Sequence, residues 1–528
     1  MTLRLGEERF LSEEPVVVLE NYFQDAYDNA VATARTCYSS KVVSAEEVSK
    51  DEQAKERRDA IAQSIYKAGH HTTLQHATFQ FVLDKVSRQF LWSFLHSHPF
   101  YNSEQVSQRY VEVKPEHFTV PPLEEKAETL YRETIAFQME AYHKLLEILQ
   151  PTTKAEYAKI FPRRDPLEKK WASAIKKKEL EVARYVLPIA THAHLYHTVS
   201  GITLHRYHRL CEQFDTPFES RCVVKKMIEA VNAVDPEFFK FIEEAIPLEQ
   251  TPEYQFFQGV QNTQRDWTGE AFLREFDEGL NPYTSKLIDY KVNGEKTMAQ
   301  AVRSVLGMRK ASLTDEEAIE LVMNPKENPY LAQALTLTTL GKLTRTMVHP
   351  HFTFKKKLSH TADSQDQRHR MVPASRPVLA RHLVSSKPDY MVPVLIQMNE
   401  EALAFYHEAM RIIWRAIDDL LNMGVKVEFA MYLLPNAFPI RFEESGDLLN
   451  FHHKWIQRLC YTAQEEIWKT CHEEVTQVKA IFPNIGKYLA APCWVRKEAG
   501  AQPFCPEGDR YCGVPVWQKD LKEYDRVI

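Results

Sequence analysis

Residues 69–110 read GHHTTLQHATFQFVLDKVSRQFLWSFLHSHPFYNSEQVSQRY, and the order of chemical types along this stretch sets the expectations for the rest of the chain. A His/Thr cluster opens it at Gly69 to Thr72. Ala77 to Leu83 alternates apolar and polar residues, the period of a strand with one buried face. Ser87 and Arg88 then lead into an apolar run of helical character, and the stretch closes on Glu104, Gln105, Ser107, Gln108, Arg109 and Tyr110. Hydroxyl, amide and guanidinium groups set that closely suit an oxyanion such as a phosphate, because arginine offers a fork of two parallel donors.

At 528 residues the chain holds roughly three to four domains' worth of sequence. Its 44% hydrophobic and 26% charged residues are ordinary for a globular protein, whereas only 15 glycines disfavour glycine-rich phosphate loops. Neither GxGxxG nor GxxxxGK followed by Ser or Thr occurs, which sets aside dinucleotide and ATP sites of those kinds. A net charge of −6 argues against a nucleic-acid partner, which calls for a basic footprint. The opening MTLRLGEERFLSEEP lacks the apolar core of a secretory signal, and no apolar run approaches the ~18 residues of a membrane helix. Eight scattered cysteines do not make a disulfide framework. The expected compartment is the cytoplasm, with no membrane partner.

Val16 to Leu19 reads as a strand, followed by a helix ending near ATARTCYSS. Leu123 to Gln150 sets Leu130, Ile135, Met139, Tyr142, Leu145 and Leu146 at helical spacing, so a long amphipathic helix is expected there, with PTTKAEYAKIFPRRDP after it as a loop. Glu179 to Val186 is a further helix, stopped by Pro188. The second half repeats this order. Arg88 of KVSRQF answers to Arg345 of KLTRTM, Gln108 to Tyr110 answer to Gln367 to His369, the long helix recurs at Val392 to Met423, and ARYVLP (183–188) recurs as AMYLLP (430–435). Landmarks in one order at a nearly constant spacing indicate a tandem duplication whose period is a whole domain. The expected layout is a first repeat over 1–246, a linker over 247–284, a more divergent second repeat over 285–490 and a Cys/Pro-containing tail over 491–528.

With these residues in view, the chain resembles the flavin-dependent (alternative) thymidylate synthases. The first half is similar over about 15–245, through ARTCYSS, the GHxT element, VSR, NSEQVSQRYV, the VPP that follows and ARYVLP; the second half is similar most clearly at LLPNAFPIRF, LLNF and QRLCYTAQEEIW. The resemblance implies an α+β fold in two tandem copies, each helix-rich with a small, mainly antiparallel sheet. It also implies reduced FAD as cofactor, NADPH and methylenetetrahydrofolate as co-substrates, and methylation of dUMP at carbon 5. Family sites draw on several subunits of a homotetramer, so a tandem chain is expected to form a homodimer that serves as a pseudo-tetramer.

Residue by residue, the family's GHxT His and Thr fall on His70 and Thr72, facing the flavin. Its Ser-x-Arg-Tyr substrate element falls on Ser107, Arg109 and Tyr110, with Gln105 at the preceding acidic position, and its arginine before Leu-Pro falls on Arg184. The signature Arg-His-Arg, eight residues before the serine, falls on Ser97, His98 and Pro99, so only His98 is kept. The glutamine three residues before that motif becomes Phe94, and the last family arginine becomes Cys211. In the second half the GHxT place reads Lys326, Glu327, Asn328 and Pro329, while Arg368 and Arg458 match the two substrate-side arginines and Met431 replaces the one before Leu-Pro. Lys355, Lys356 and Lys357 stand about where the missing Arg-His-Arg should be. The losses are complementary, so sites shared between halves would number fewer than the domains.

Two other readings stay open. The first is a degenerate paralogue that binds a nucleotide without synthase activity. The second is a repurposed His-rich, metal-dependent cleft, because His-x-His recurs at 96/98, 192/194 and 349/351 and neutral imidazoles at that spacing can share a transition metal. No carboxylate or cysteine spacing completes a recognisable ligand set, so no metal residue is assigned. Cys493, Cys505 and Cys512, with Cys471 and His472 upstream, match no standard zinc finger.

Overall fold

The computed structural model describes residues 8–162, 164, 168–212, 215–261 and 269–528. Among them, eight strands make two four-stranded antiparallel sheets of the same connectivity. The first holds β1 (Val16–Tyr22), β2 (Thr78–Ser87), β3 (Tyr101–Gln105) and β4 (His192–Ser200) in the order β1-β2-β4-β3. The second holds β5 (Ser285–Tyr290), β6 (His351–Ser359), β7 (Ala374–Ser375) and β8 (Pro439–Asp447) in the order β5-β6-β8-β7. This is the expected helix-rich α+β fold in two copies.

The alternation in β2 does what period two requires: Phe79, Phe81 and Leu83 are fully buried while Thr78, Gln80 and Val82 stay half-exposed. β6 repeats the pattern with Phe352 and Phe354, then places Lys356 at the inward position that Leu83 holds in β2. β2 also carries a bulge, a slip in pairing between Leu83 and Val86, with Lys85 at φ 57°. The β6–β8 register runs unbroken to Ser359.

After β2 and after β6 a serine starts a helix. Ser87 Oγ accepts from the Phe90 amide at the head of α1 (Arg88–His96), and Ser359 Oγ accepts from the Ala362 amide at the head of α6 (His360–Asp366). Arg88 therefore corresponds to His360 and not to Arg345. Arg345 lies in the 3-10 turn Thr344–Val348 ahead of β6, the place that His71–Gln75 takes ahead of β2. Lys342 to Arg345, and not Lys326 to Pro329, thus stand where the first copy has Gly69 to Thr72. Residues 324–343 lengthen the run-in to this turn, which is why a constant sequence spacing misplaced it.

The long helices are α2 (Glu125–Ile160) and α7 (Glu400–Asn422), and they pack on each other. α2 continues through Pro151 into the stretch expected to be a loop, carried by the buried side chains of Thr153, Glu156 and Tyr157. Arg163, Asp165 and Pro166 of that stretch lie outside the described residues. Of the expected linker, Pro252–Gln261 and Gly269–Leu280 are helical, and residues 262–268 lie outside the described residues.

A two-fold exchange of polar contacts joins the copies. The chain after α3 (Lys169–Ala183) meets its counterpart at the Pro188 and Pro435 bridge, where Ile189 N donates to Leu434 O at 2.8 Å and Asn436 N donates to Leu187 O at 2.8 Å. Tyr432 of the second copy donates to Glu219 on α5 (Pro217–Asn232) at 2.6 Å, and that carboxylate also accepts from Ser87 N and Oγ at 2.7 and 2.6 Å. Tyr185 of the first copy donates to Glu466 on α9 (Glu465–Ile481) at 2.6 Å, which accepts in turn from Ser359 Oγ at 2.7 Å. One apolar cluster spans the seam, with Tyr131, Tyr142 and Tyr185 from one copy and Tyr406, Tyr432 and Trp455 from the other. Tyr432→Phe is expected to cost ~1–3 kcal/mol, because it strips a donor from a buried carboxylate while leaving the ring in place. A urea midpoint equal to that of the wild type would show that the exchange contributes nothing to stability.

Candidate functional site

The turn after β3 carries Ser107, Gln108 and Arg109 to the seam. Arg109 donates from Nε to Glu181 and from Nη2 to the Thr462 carbonyl of the second copy at 3.0 Å, and its guanidinium lies 5.4 Å from the Tyr110 ring. Ser107 Oγ accepts from the Arg109 amide at 3.3 Å, and Gln108 Oε1 accepts from Asn436 Nδ2 at 3.0 Å. Arg184 follows α3 in a 3-10 turn and donates from Nε to the Glu181 carbonyl at 3.1 Å. Arg88 donates from Nη2 to the Val106 carbonyl at 2.7 Å and from Nη1 to Gln105 Oε1 at 3.4 Å.

Cations outnumber anions at this place. Burial alone would raise the Glu181 pKa, yet Arg109, Lys178, Arg526 and Arg184 together hold it down at about 2. Burial lowers Lys178 to about 8, and burial with the nearby Arg184 lowers Arg88 to about 9. Arg184 Nη2, Arg88 Nε, Gln108 Nε2 and all three guanidinium nitrogens of Arg526 are buried with no hydrogen-bond partner among the described residues. Each buried donor left so costs ~1–3 kcal/mol. An entering oxyanion would satisfy these donors and relieve the mutual repulsion of the cations.

The second copy completes the cluster through Arg458, the last residue of α8 (Leu448–Arg458), which follows β8 as α4 (Gly201–Arg209) follows β4. Arg458 Nε donates to His369 Nε2 at 2.9 Å and its Nη2 donates to the Gln365 carbonyl at 3.1 Å. Burial first, then Arg458 itself, keeps His369 well below the usual histidine range, so the ring is the neutral acceptor this bond requires. Burial chiefly lowers the Arg458 pKa, and Arg368 and Arg109 lower it further, which places all three guanidinium groups in one field.

Strand register reassigns Arg368. Ser103 pairs with His197 in the first sheet, Ala374 pairs with Glu444 in the second, and His197 and Glu444 hold the same position against β2 and β6. Carried back from Ser103 and Ala374, the register sets Ser97, His98 and Pro99 against Arg368, His369 and Arg370. The Arg-His-Arg triplet missing from the first copy therefore stands in the second, with Gln365 three residues ahead of it, and Arg368 is not the counterpart of Arg109. The triplet faces β3 of the first copy. Arg368 Nη2 is 3.3 Å from Glu104, Arg370 donates to the Pro99 carbonyl at 3.3 Å and to Asn102 Oδ1 at 3.1 Å, and its guanidinium lies 4.9 Å from the Tyr101 ring. A cavity of about 320 Å³ opens between them, with Ser103, Gln105, Arg368 and Arg370 on its walls.

His98 is held rather than free. Its Nδ1 accepts from the Phe100 amide at 2.9 Å, which leaves Nε2–H to donate to Tyr207 Oη at 2.8 Å, and burial lowers its pKa to about 4. His70 and Thr72 are exposed and line a different, open groove of about 1440 Å³ beside Arg35, Tyr38 and Arg57. The lysine run lies in β6 rather than at the Arg-His-Arg place. Lys356 is fully buried against Asp366, Glu444 and Glu474 at 3.2, 3.0 and 2.9 Å, Lys357 pairs with Asp277 at 2.7 Å, and Lys355 lies 4.0 Å from the Phe276 ring. Among the described residues no three His, Cys, Asp or Glu side chains are arranged to hold a metal ion, and Cys471 is buried in the second copy's core.

The pseudo-symmetric place, where the second copy's turn meets the first copy's helices, has the opposite character. Met431 stands for Arg184 and Glu428 for Glu181, while Phe218, packed 4.7 Å from Phe10, stands for Glu465. Glu428 accepts from the Phe218 amide at 2.6 Å, and burial, opposed only in part by Arg221 and Lys426, pushes its pKa up to about 8. The unfolded carboxyl ionises near 4.5 and the folded one near 8, so stability present below the first value is lost as pH rises through the second. Glu428→Gln is expected to raise the thermal midpoint above pH 8 and to leave it nearly unchanged at about pH 5; equal midpoints in alkaline buffer would contradict the raised pKa.

Fold and seam together define a duplicated α+β protein with a basic cleft shared by its copies. The model of the thymidylate synthase complementing protein family matches residues 18–237 and 286–484. Among similar proteins, the flavin-dependent thymidylate synthase of Clostridium tetani (strain Massachusetts / E88) is 27% identical over 230 residues, covering 43% of this chain and 85% of the relative. That of Geobacter sulfurreducens is 28% identical over 177 residues, covering 33% and 72%, and that of Saccharolobus solfataricus is 22% identical over 219 residues, covering 40% and 78%. The chain belongs to the flavin-dependent thymidylate synthase family and carries two copies of its fold. No helix among the described residues is long and apolar enough to cross a membrane.

Lys178, Arg370, Gln365 and Arg526 escaped the sequence reading. The triplet at 368–370 was legible as letters, but the spacing to Gln108-Arg109 drew it into the wrong alignment. Lys178 and Arg526 carry no motif and are found only in three dimensions.

Proposed function

We propose that the chain is an FAD-dependent thymidylate synthase that methylates dUMP, or a related pyrimidine nucleotide, at C5, with methylenetetrahydrofolate as carbon donor and NADPH as reductant. The observation that carries this reading is the cation cluster at the seam, where Arg109 and Arg184 of one copy converge with Arg458 of the other around buried donors that lack acceptors. In this reading Ser107, Arg109, Arg184 and Arg458 take the phosphate, with Gln105 beside them. Arg368 moves to the flavin side as part of the Arg-His-Arg triplet, together with His98, His70 and Thr72. Bound flavin supplies the hydride. The chain's own part is to fix the nucleotide, exclude water and present positive charge where negative charge develops.

At the pseudo-symmetric place Met431 and Cys211 stand where the basic cleft has Arg184 and Arg458, beside a carboxyl that burial keeps protonated near neutral pH, an arrangement that disfavours a phosphate even with Arg221 and Lys426 near. One nucleotide per chain is therefore expected, not two. The open groove at His70 is rimmed by the exposed side chain of Tyr38, and a second chain closing it would make the pseudo-tetramer from a homodimer. Purified full-length protein is expected to be yellow, to release FAD on denaturation and to titrate with dUMP at one equivalent per chain. Ser97 and Pro99 in the first copy favour a second reading, a nucleotide-binding relative without turnover. Colourless protein that still binds dUMP would establish that one, and protein that binds neither FAD nor dUMP would sink both.

A further inference from the structure

The segment after residue 490 belongs to neither copy, yet it is pinned tightly to the second. Val516, Leu521 and Tyr524 are buried. Tyr524 Oη accepts from the Ala491 amide at 3.2 Å, the Leu521 carbonyl lies 3.0 Å from His472 Nε2, and the Asp525 amide donates to Tyr461 Oη at 2.9 Å. These contacts fix the backbone on the N-terminal side of Arg526 and set its guanidinium carbon 5.9 Å from the Trp468 ring on α9. There it enters the field of Glu181 and Arg109, across the seam from the first copy.

We propose that Arg526 is a substrate-binding residue, a guanidinium brought by the C-terminal segment to contact the oxyanion of the nucleotide phosphate alongside Arg109, Arg184 and Arg458. The inference rests on the nucleotide reading above and adds to it a residue that neither copy of the fold supplies.

Three observations carry it. All three guanidinium nitrogens of Arg526 are buried without an acceptor among the described residues, a costly arrangement for a side chain whose role is packing alone. The two nearby carboxylates are otherwise engaged: Glu181 receives Arg109 Nε, and Glu465 accepts from the Val394 amide at 2.8 Å. The pseudo-symmetric place supplies the contrast. There the other end of the chain lays Phe10 against Phe218, so a terminal segment covers both places, with a phenyl ring at the one where Met431 and Cys211 replace Arg184 and Arg458 and a guanidinium at the one that keeps them.

The test uses full-length protein carrying Arg526→Met or Arg526→Lys, titrated calorimetrically with dUMP, with deoxyuridine and with inorganic phosphate. Arg526→Met is expected to weaken dUMP about 10- to 100-fold, to leave deoxyuridine unchanged and, without ligand, to melt at or above the wild-type temperature because an unpaired buried charge is gone. Arg526→Lys is expected to keep part of the dUMP affinity. Undiminished dUMP affinity in Arg526→Met overturns the assignment whatever its melting point. If wild-type protein binds no dUMP, the nucleotide reading falls separately and phosphate decides. A phosphate-induced rise in melting temperature, seen in wild type and lost in Arg526→Met, keeps Arg526 as an anion contact; no such rise in the wild type overturns it.

Discussion

Arg184→Met is expected to weaken dUMP binding by roughly two to three orders of magnitude, the range for removing one charge from a desolvated, hydrogen-bonded ionic contact. The second copy shows that methionine fits this place, because Met431 begins the 3-10 turn Met431–Leu433 just as Arg184 begins Arg184–Val186. The substitution should therefore fold, and the loss should appear in binding at fixed salt, measured by titration calorimetry. Arg184 already lacks an acceptor for Nη2, so the ligand-free variant gives up little. The reverse change, Met431→Arg, is expected to add no second binding event, since Cys211 and Phe218 occupy the places of Arg458 and Glu465. An Arg184→Met affinity within a few-fold of the wild type would remove this arginine from the phosphate clamp.

Lys356→Leu is expected to destabilise the second copy by roughly 3–5 kcal/mol, the cost of breaking a buried ion cluster on one side. Lys356 and Lys454 serve Asp366, Glu444 and Glu474, all fully or almost fully buried. Removing Lys356 leaves three carboxylates around one ammonium group. The first copy builds the same positions without this network, with Leu83, His197 and Tyr207 where the second has Lys356, Glu444 and Lys454. Adding Glu444→Gln to Lys356→Leu should accordingly recover a large part of the loss. Urea unfolding followed by far-UV circular dichroism reads the loss as a shift in midpoint rather than a two-state free energy. A single-variant midpoint within error of wild type would show that the cluster is not stabilised by its charges.

The duplication was legible because the long helix and the ARYVLP and AMYLLP turns recur in order in both halves, and the α+β class followed from the family resemblance that the motifs carry. Phe79, Phe81 and Leu83 announced β2 by spacing alone. The alignment between the copies was not legible in detail, because loops do not keep spacing. The bulge at Lys85, the long run-in over residues 324–343 and a one-residue difference before β7 each shift the register, and together they moved Arg345 and Arg368 onto the wrong partners. Arg109 and Arg184 could be singled out as an anion-binding pair from the family motifs they match, but the partner that Arg109 holds, Glu181, could not. Whether an arginine is paired or waiting depends on neighbours distant in the chain, and Arg526 is the extreme case.

The reciprocal grip of Tyr185 on Glu466 and of Tyr432 on Glu219 has a consequence for inheritance. Between separate identical subunits, one altered codon changes every site in the assembly at once. Here the peptide linkage makes the pairing intramolecular, so dilution cannot part the halves, and one half can lack what its neighbour carries. On the proposed reading the dependence is mutual: with Arg184 answered by Met431 and Arg368 by Ser97, neither half released alone would carry a whole site.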